Sequence, residues 1–116
     1  MIQIKRVYET PLPEDGYRVL VDRLWPRGVK KAELVCDEWC KSLAPSGELR
    51  KAFHAQTIDF AAFSEAYRGE LRQAKEEAQR LAALSRKHPL TLLYAARDTE
   101  QNHARVLADY LRTLLP

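Results

Sequence analysis

An α/β domain built on a small, mostly parallel sheet is what the hydrophobic pattern of this chain predicts. Three observations point there. Two short apolar runs, Val19-Leu20-Val21 and Leu90-Thr91-Leu92-Leu93, lack the in–out alternation of a half-exposed strand, as expected of strands covered on both faces. A long amphipathic stretch lies between them, with Phe60, Phe63, Tyr67, Leu71, Ala74, Ala78 and Leu81 spaced by threes and fours. A second such stretch follows the later run, so strand and helix patterns alternate along the chain.

The elements follow in order. Ile2, Ile4, Val7 and Tyr8 mark a first strand, and Pro11, Pro13, Asp15 and Gly16 the loop after it. Tyr17 to Leu24 reads as the second strand, stopped by Pro26 and Gly28. Lys30 to Leu43 is expected to be a helix, with Leu34, Cys36, Trp39, Cys40 and Leu43 roughly on one side. Pro45 interrupts it. Ser46 is the expected N-cap of a short helix through Phe53, with Glu48 in its first turn.

Asp59 to Leu84 is expected to be one long helix, its outer face carrying Glu65, Arg68, Arg72, Glu76 and Arg80. Ser85 to Pro89 turns the chain into a third strand, Leu90 to Ala96. Asp98 or Thr99 is the expected cap of the last helix, Gln101 completing a capping box with Asp98, and Asn102 and His103 falling in the first turn. Val106, Leu107, Tyr110, Leu111 and Leu114 form its apolar stripe. This order implies a three-layer, Rossmann-like arrangement in which helices flank the sheet, over a single domain spanning 1–116. The join between the first two strands is short for a parallel pair, which normally needs about a dozen residues of crossover, so a hairpin is the alternative there.

Composition narrows the function classes. The chain has 116 residues, 46% hydrophobic and 30% charged, which suits one globular domain with its own core. The formal net charge of +3 is mild, and the Lys and Arg residues are spread along the chain rather than gathered on one stripe. No apolar run approaches the roughly 20 residues that span a membrane, and the first residues read as a strand rather than a secretory leader, so a cytoplasmic location is expected. Cys36 and Cys40 sit four apart without the further Cys or His of a metal set. They read as two small side chains on one helical face, with a redox or metal pair as the alternative.

Both apolar β runs end abruptly in charged and aromatic residues, and in open α/β sheets ligands bind beyond the carboxyl ends of the strands. After the second strand come Asp22, Arg23, Trp25 and Arg27. Guanidinium forks suit carboxylate or phosphate, and an indole offers an apolar wall; the alternative is that Asp22 pairs with an arginine and Trp25 is core. After the third strand come Arg97, Asp98, Asn102 and His103, beside a helix N-terminus that favours anions. His103 can accept a proton or pack locally, Tyr94 reads as core, and His54 and His88 read as surface residues. No Gly-rich phosphate loop, no HExxH pattern, no Ser–His–Asp ordering and no cofactor motif is present.

The string Tyr17-Arg18-Val19-Leu20-Val21-Asp22-Arg23-Leu24-Trp25-Pro26-Arg27-Gly28, then Trp39, Leu43-Ala44-Pro45-Ser46, Phe63 and Tyr67, and finally Leu92 to Asp98 with Asn102-His103-Ala104, resembles the YeaO-like branch of a bacterial family, domain of unknown function 488. The similarity runs over nearly the whole chain. It implies that the two clusters are the family's signature strings.

The leading expectation is a small anionic ligand held by Arg23, Arg27 and Arg97, with Trp25 and Trp39 as walls, Asn102 in contact, and Asp98 and His103 orienting it or moving a proton. Catalysis stays open. The rival classes are a nucleic-acid or nucleotide-binding module using the basic residues and tryptophans, and a homodimeric interaction module using the 59–84 helix, against a monomer.

Overall fold

Four strands form one sheet in the order β1-β4-β2-β3, and every pairing is parallel. They are β1 (Ile2–Arg6), β2 (Tyr17–Leu20), β3 (Glu38–Trp39) and β4 (Leu90–Tyr94). The helices are α1 (Gly47–His54), α2 (Phe60–Gln73), α3 (Lys75–Lys87) and α4 (His103–Thr113). These coordinates are a computed structural model and describe residues 1–116. No helix is long and apolar enough to cross a membrane.

β4, last in sequence, is inserted between the first two strands. That answers the question of the short first connection: β1 and β2 are not a hairpin, and each pairs in parallel with β4. Register places Ile2 and Tyr17 beside Leu90, and Leu20 beside Leu93. Gly16 makes this possible. Its φ is +64°, and a Cβ there would stand 2.2 Å from the Pro89 carbonyl oxygen, which accepts the Tyr17 N–H at 2.9 Å.

Parity along the strands separates two interiors. Ile2, Ile4, Val19, Val21, Leu90, Leu92 and Tyr94 face the helices, joining Phe63, Tyr67, Leu81, Leu107 and Leu111 in the main core. Leu20 and Leu93 face the other way, with Val7, Trp25, Val29, Leu34 and Trp39 over them. All four helices therefore contribute to one side. The layer on the other side is made of the 7–16 connection and the long loop of residues 21–37.

That loop corrects one expectation. Lys30 to Leu43 is not a helix; it is the end of the loop, then β3, then a single 3₁₀ turn at Lys41–Leu43. The open edge of β2 decides this. Asp37 N–H donates to Arg18 O and Cys40 N–H to Leu20 O, both at 2.8 Å, so the segment completes the sheet. Cys36 and Cys40 consequently do not share a helical face: Cys36 packs in the loop-side cluster and Cys40 in the main core.

The helix expected over Asp59–Leu84 is two helices, broken at Ala74 (φ −103°, ψ 40°). No Pro or Gly marks the break. An unbroken helix of that length would run about 39 Å, the full largest extent of the molecule, 39 Å. The kink lets α2 pack on α1 and α4 while α3 turns to cover β4 and β3's neighbourhood. Asp59 caps α2, accepting the Ala62 N–H at 2.8 Å, and Ser46 caps α1, as its position before Gly47 implies.

Candidate functional site

Beyond the carboxyl ends of β2 and β4 lies a cavity of about 220 Å³. The register explains its floor. Leu20 pairs with Leu93, so Asp22 comes level with Ala95, whose N–H donates to Asp22 Oδ2 at 3.1 Å. Ala95 and Ala96 continue β4 into the cavity wall, and Arg6 of β1 grips both of their carbonyls, at 3.2 and 2.9 Å. These three hydrogen bonds fix the strand ends before any ligand arrives.

His103 closes the inner end. Its Nε2 stands 2.9 Å from Asp22 Oδ1, a close contact that is not aligned as a hydrogen bond. Neither atom has another partner, and both are sealed from solvent. Tyr67 holds the imidazole edge-on, with ring centroids 6.3 Å apart, and donates its own hydroxyl to Leu43 O. Burial pushes the Tyr67 phenol well above its ordinary value, so it stays a neutral donor.

Asn102, not Asp98 or Thr99, is the N-cap of α4. Its Oδ1 accepts the Arg105 N–H at 2.9 Å and its amide donates to Asp98 O at 2.9 Å. His103 is accordingly the first helical residue. Asp98 closes a separate turn in front of the helix. Its carboxylate accepts the Gln101 and Glu100 N–H groups, which hold its pKa below the ordinary value.

The outer part of the cavity comes from other elements. Arg23 follows Asp22 and donates through Nε to Pro45 O at 3.2 Å, which positions the guanidinium while its terminal nitrogens stay free. Arg50, Phe53 and His54 share one face of α1 by the three-and-four rule, and Phe63 backs them from α2. The rings of Phe53 and Phe63 stack at 4.5 Å and 25°.

Of the residues the sequence proposes, Arg23, Asn102 and His103 line this cavity; Trp25, Arg27, Trp39, Arg97 and Asp98 do not. Arg27, Arg97 and Asp98 are exposed. Trp25 and Trp39 meet each other on the loop side, ring centroids 5.3 Å apart and edge-on. Their N–H groups bind Val29 O at 2.6 Å and Asp22 O at 2.7 Å. Trp39 thus touches the site's scaffold, not its interior. Asp22 pairs with His103 rather than with an arginine. Sequence reading missed Arg50, Phe53 and His54 as a group, although their spacing on α1 was the available signal.

A second cluster sits at β3. The donor atoms of Glu38, Cys40 and Glu77 lie within 4.8 Å of one another. Arg80 already occupies both carboxylates: it reaches Glu38 from both terminal nitrogens and Glu77 at 2.9 Å. Its charge holds Glu38 and Glu77 below their ordinary values, while Tyr17 donates to Glu38 at 2.8 Å. Burial pushes the Cys40 thiol up. The arrangement is an ion-paired brace between β2, β3 and α3.

With this geometry in view, the comparisons fall into place. A family profile described as the inactive DUF488-N3 subclade matches residues 1–116, and the chain belongs to that family. YeaO of Escherichia coli (strain K12) is 59% identical over 113 residues, covering 97% of this chain and 98% of that protein. Relatives from Mycobacterium bovis and Mycobacterium tuberculosis are 41% identical over 110 residues, covering 95% of this chain and 92% of theirs. No solved structure matches.

Proposed function

We propose that the chain binds a small anionic ligand, bearing a carboxylate or phosphate, in the cavity beyond β2 and β4. The observation that carries this reading is Arg23, anchored through Nε to Pro45 O and lining the same cavity as Arg50. A guanidinium held by one nitrogen has two others ready to fork an oxyanion, with less orientational freedom to lose. The family description, with its word inactive, favours holding a ligand over transforming it. Asp22 and His103 then act as a fixed polar end to the site rather than as an acid–base engine.

Thermal unfolding with phosphate and simple carboxylates at constant ionic strength tests this. A ligand at about 100 times its Kd adds about 2.7 kcal/mol of stability, a rise of several degrees for a domain of this size. Arg23→Ala and Arg50→Ala are expected to lose that rise. An anion that stabilises the wild type and both variants equally removes the arginines from the site.

A further inference from the structure

We infer that the ligand carries a flat aromatic ring on its acidic group, so that the cavity takes an aromatic carboxylate or aryl phosphate in preference to a bare oxyanion. This rests on the anion reading above and narrows it. The argument comes from how the lining changes with depth.

The cations Arg23 and Arg50 are at the outside, exposed, as is His54. The wall behind them is apolar. Phe63 is 2% exposed and Phe53 half-buried, and both line the cavity with Pro45. An oxyanion held at the mouth leaves the open part of that wall, chiefly Phe53, facing water, whereas a ring attached to it covers that part. The volume, about 220 Å³, leaves room for a ring beyond the acid group.

The wall's geometry selects flatness. Phe53 and Phe63 stack, and Phe60 and Tyr67 continue the group at 5.8 Å from Phe53 and 5.7 Å from Phe63. Aromatic rings pair with such a cluster by offset stacking or edge contact, which a puckered ring of the same size cannot reproduce. From β4 only Ala95 and Ala96 intrude, so no side chain larger than a methyl group stands on that side. At the inner end, His103 and Asn102 line the cavity.

Calorimetric titration at fixed ionic strength compares acetate, cyclohexanecarboxylate and benzoate, with inorganic phosphate and phenyl phosphate as the second acid series. Benzoate is expected to bind about tenfold more tightly than acetate, and about fivefold more tightly than cyclohexanecarboxylate, phenyl phosphate likewise leading phosphate. Phe53→Leu, checked for native circular dichroism, is expected to erase the preference for benzoate over cyclohexanecarboxylate. Should acetate and benzoate bind alike, or cyclohexanecarboxylate match benzoate, the ring is refuted and the anion site stands. Should a ring preference persist unchanged in Phe53→Leu, the aromatic wall is refuted as its source. If no anion of either series binds, this inference and the anion reading fall together. The wild-type panel decides the matter even if the variant does not fold.

Discussion

The two faces of the sheet are built on different principles. The helix face buries Leu90, Leu92, Val19 and Val21 completely against side chains from all four helices. The loop face has only Val7, Leu20 and Leu93 as its fully apolar centre. Partly buried Trp25, Val29, Leu34 and Trp39 cover it, and beside it lies a polar group: Asp15 and Arg18 are 1% and 3% exposed and ion-paired, Lys5 reaches Asp15 at 3.1 Å, and Thr91 donates to Asp15 O at 2.7 Å. Loops cannot supply a continuous apolar stripe as helices can, so this face is closed by specific pairings. One Arg18 nitrogen, Nη2, is even left buried without a partner. The candidate site lies where the faces meet, with Asp22 from the loop layer touching His103 from the helix layer.

The sharpest way to break this comparison is to truncate neighbouring leucines that point opposite ways. Leu92 and Leu93 are both 0% exposed. Leu92→Ala opens a hole among packed helices that cannot close, and is expected to cost about 4–5 kcal/mol, the upper end for such changes. Leu93→Ala lies under loops that can settle inward, and is expected to cost about 2–3 kcal/mol. Denaturant midpoints of the two variants measure the difference. Equal losses would mean that the loop layer is as rigid as the helical one.

How much of this was legible beforehand follows the same division. The α/β class, the strand runs at Val19 and Leu92, and the Ser46 and Asp59 starts of helices were all readable, because periodicity and capping are local signals. The 21–37 loop was not, because Leu34, Cys36, Trp39, Cys40 and Leu43 serve both faces of the sheet while their spacing imitates one helical side. The order of strands escaped too: nothing local to Tyr17 says that β4 will slide in beside it. At the site, Arg23 was visible as a charge after a strand end and His103 as a polar residue in the first turn of the following helix. Arg50 and Phe53 showed a shared helix face by their spacing, but that this face meets the rim was hidden, since a short helix remote in sequence reaches it only through tertiary packing.

The buried charge group gives the next test. Burial raises the Asp15 carboxyl, but the Leu12 N–H, Lys5 and Arg18 together outweigh it and hold the pKa below the ordinary 3.8. A carboxyl depressed on folding contributes stability that is fully present above its unfolded value. That contribution is lost as pH falls through the folded one. Asp15→Asn strands Lys5 and Arg18 without their anion and is expected to cost about 3–4 kcal/mol near neutrality. Its stability should also fall less than the wild type's in the acid region below pH 3.8. Parallel acid-limb slopes for the two proteins would show that Asp15 is not what couples the loop layer to pH.

A smaller effect is expected where the two faces touch. Asp22→Ala removes the acceptor of the Ala95 N–H and the partner of His103. The expected cost is about 1–3 kcal/mol, together with loss of anion binding, since β4's end and the α4 N-terminus are no longer held together. Retained binding with lowered stability would make Asp22 a brace alone.

The finest probe is a single indole. Trp25 ties residues 21–37 down by donating to Val29 O at 2.6 Å while lying edge-on to Trp39. Trp25→Phe keeps most of the ring's apolar area and deletes the donor. Val29 is only half-buried, so water can take over its carbonyl, and the expected loss is about 1 kcal/mol. What matters is where that loss is felt. If the loop layer is a cooperative unit of its own, amide hydrogen exchange should quicken across 21–37 and leave the β4 amides, buried under the helices, at their former rate. Exchange rising equally in β4 would show that the loops and the helices unfold as one body, and the distinction between the faces would then be one of composition without being one of stability.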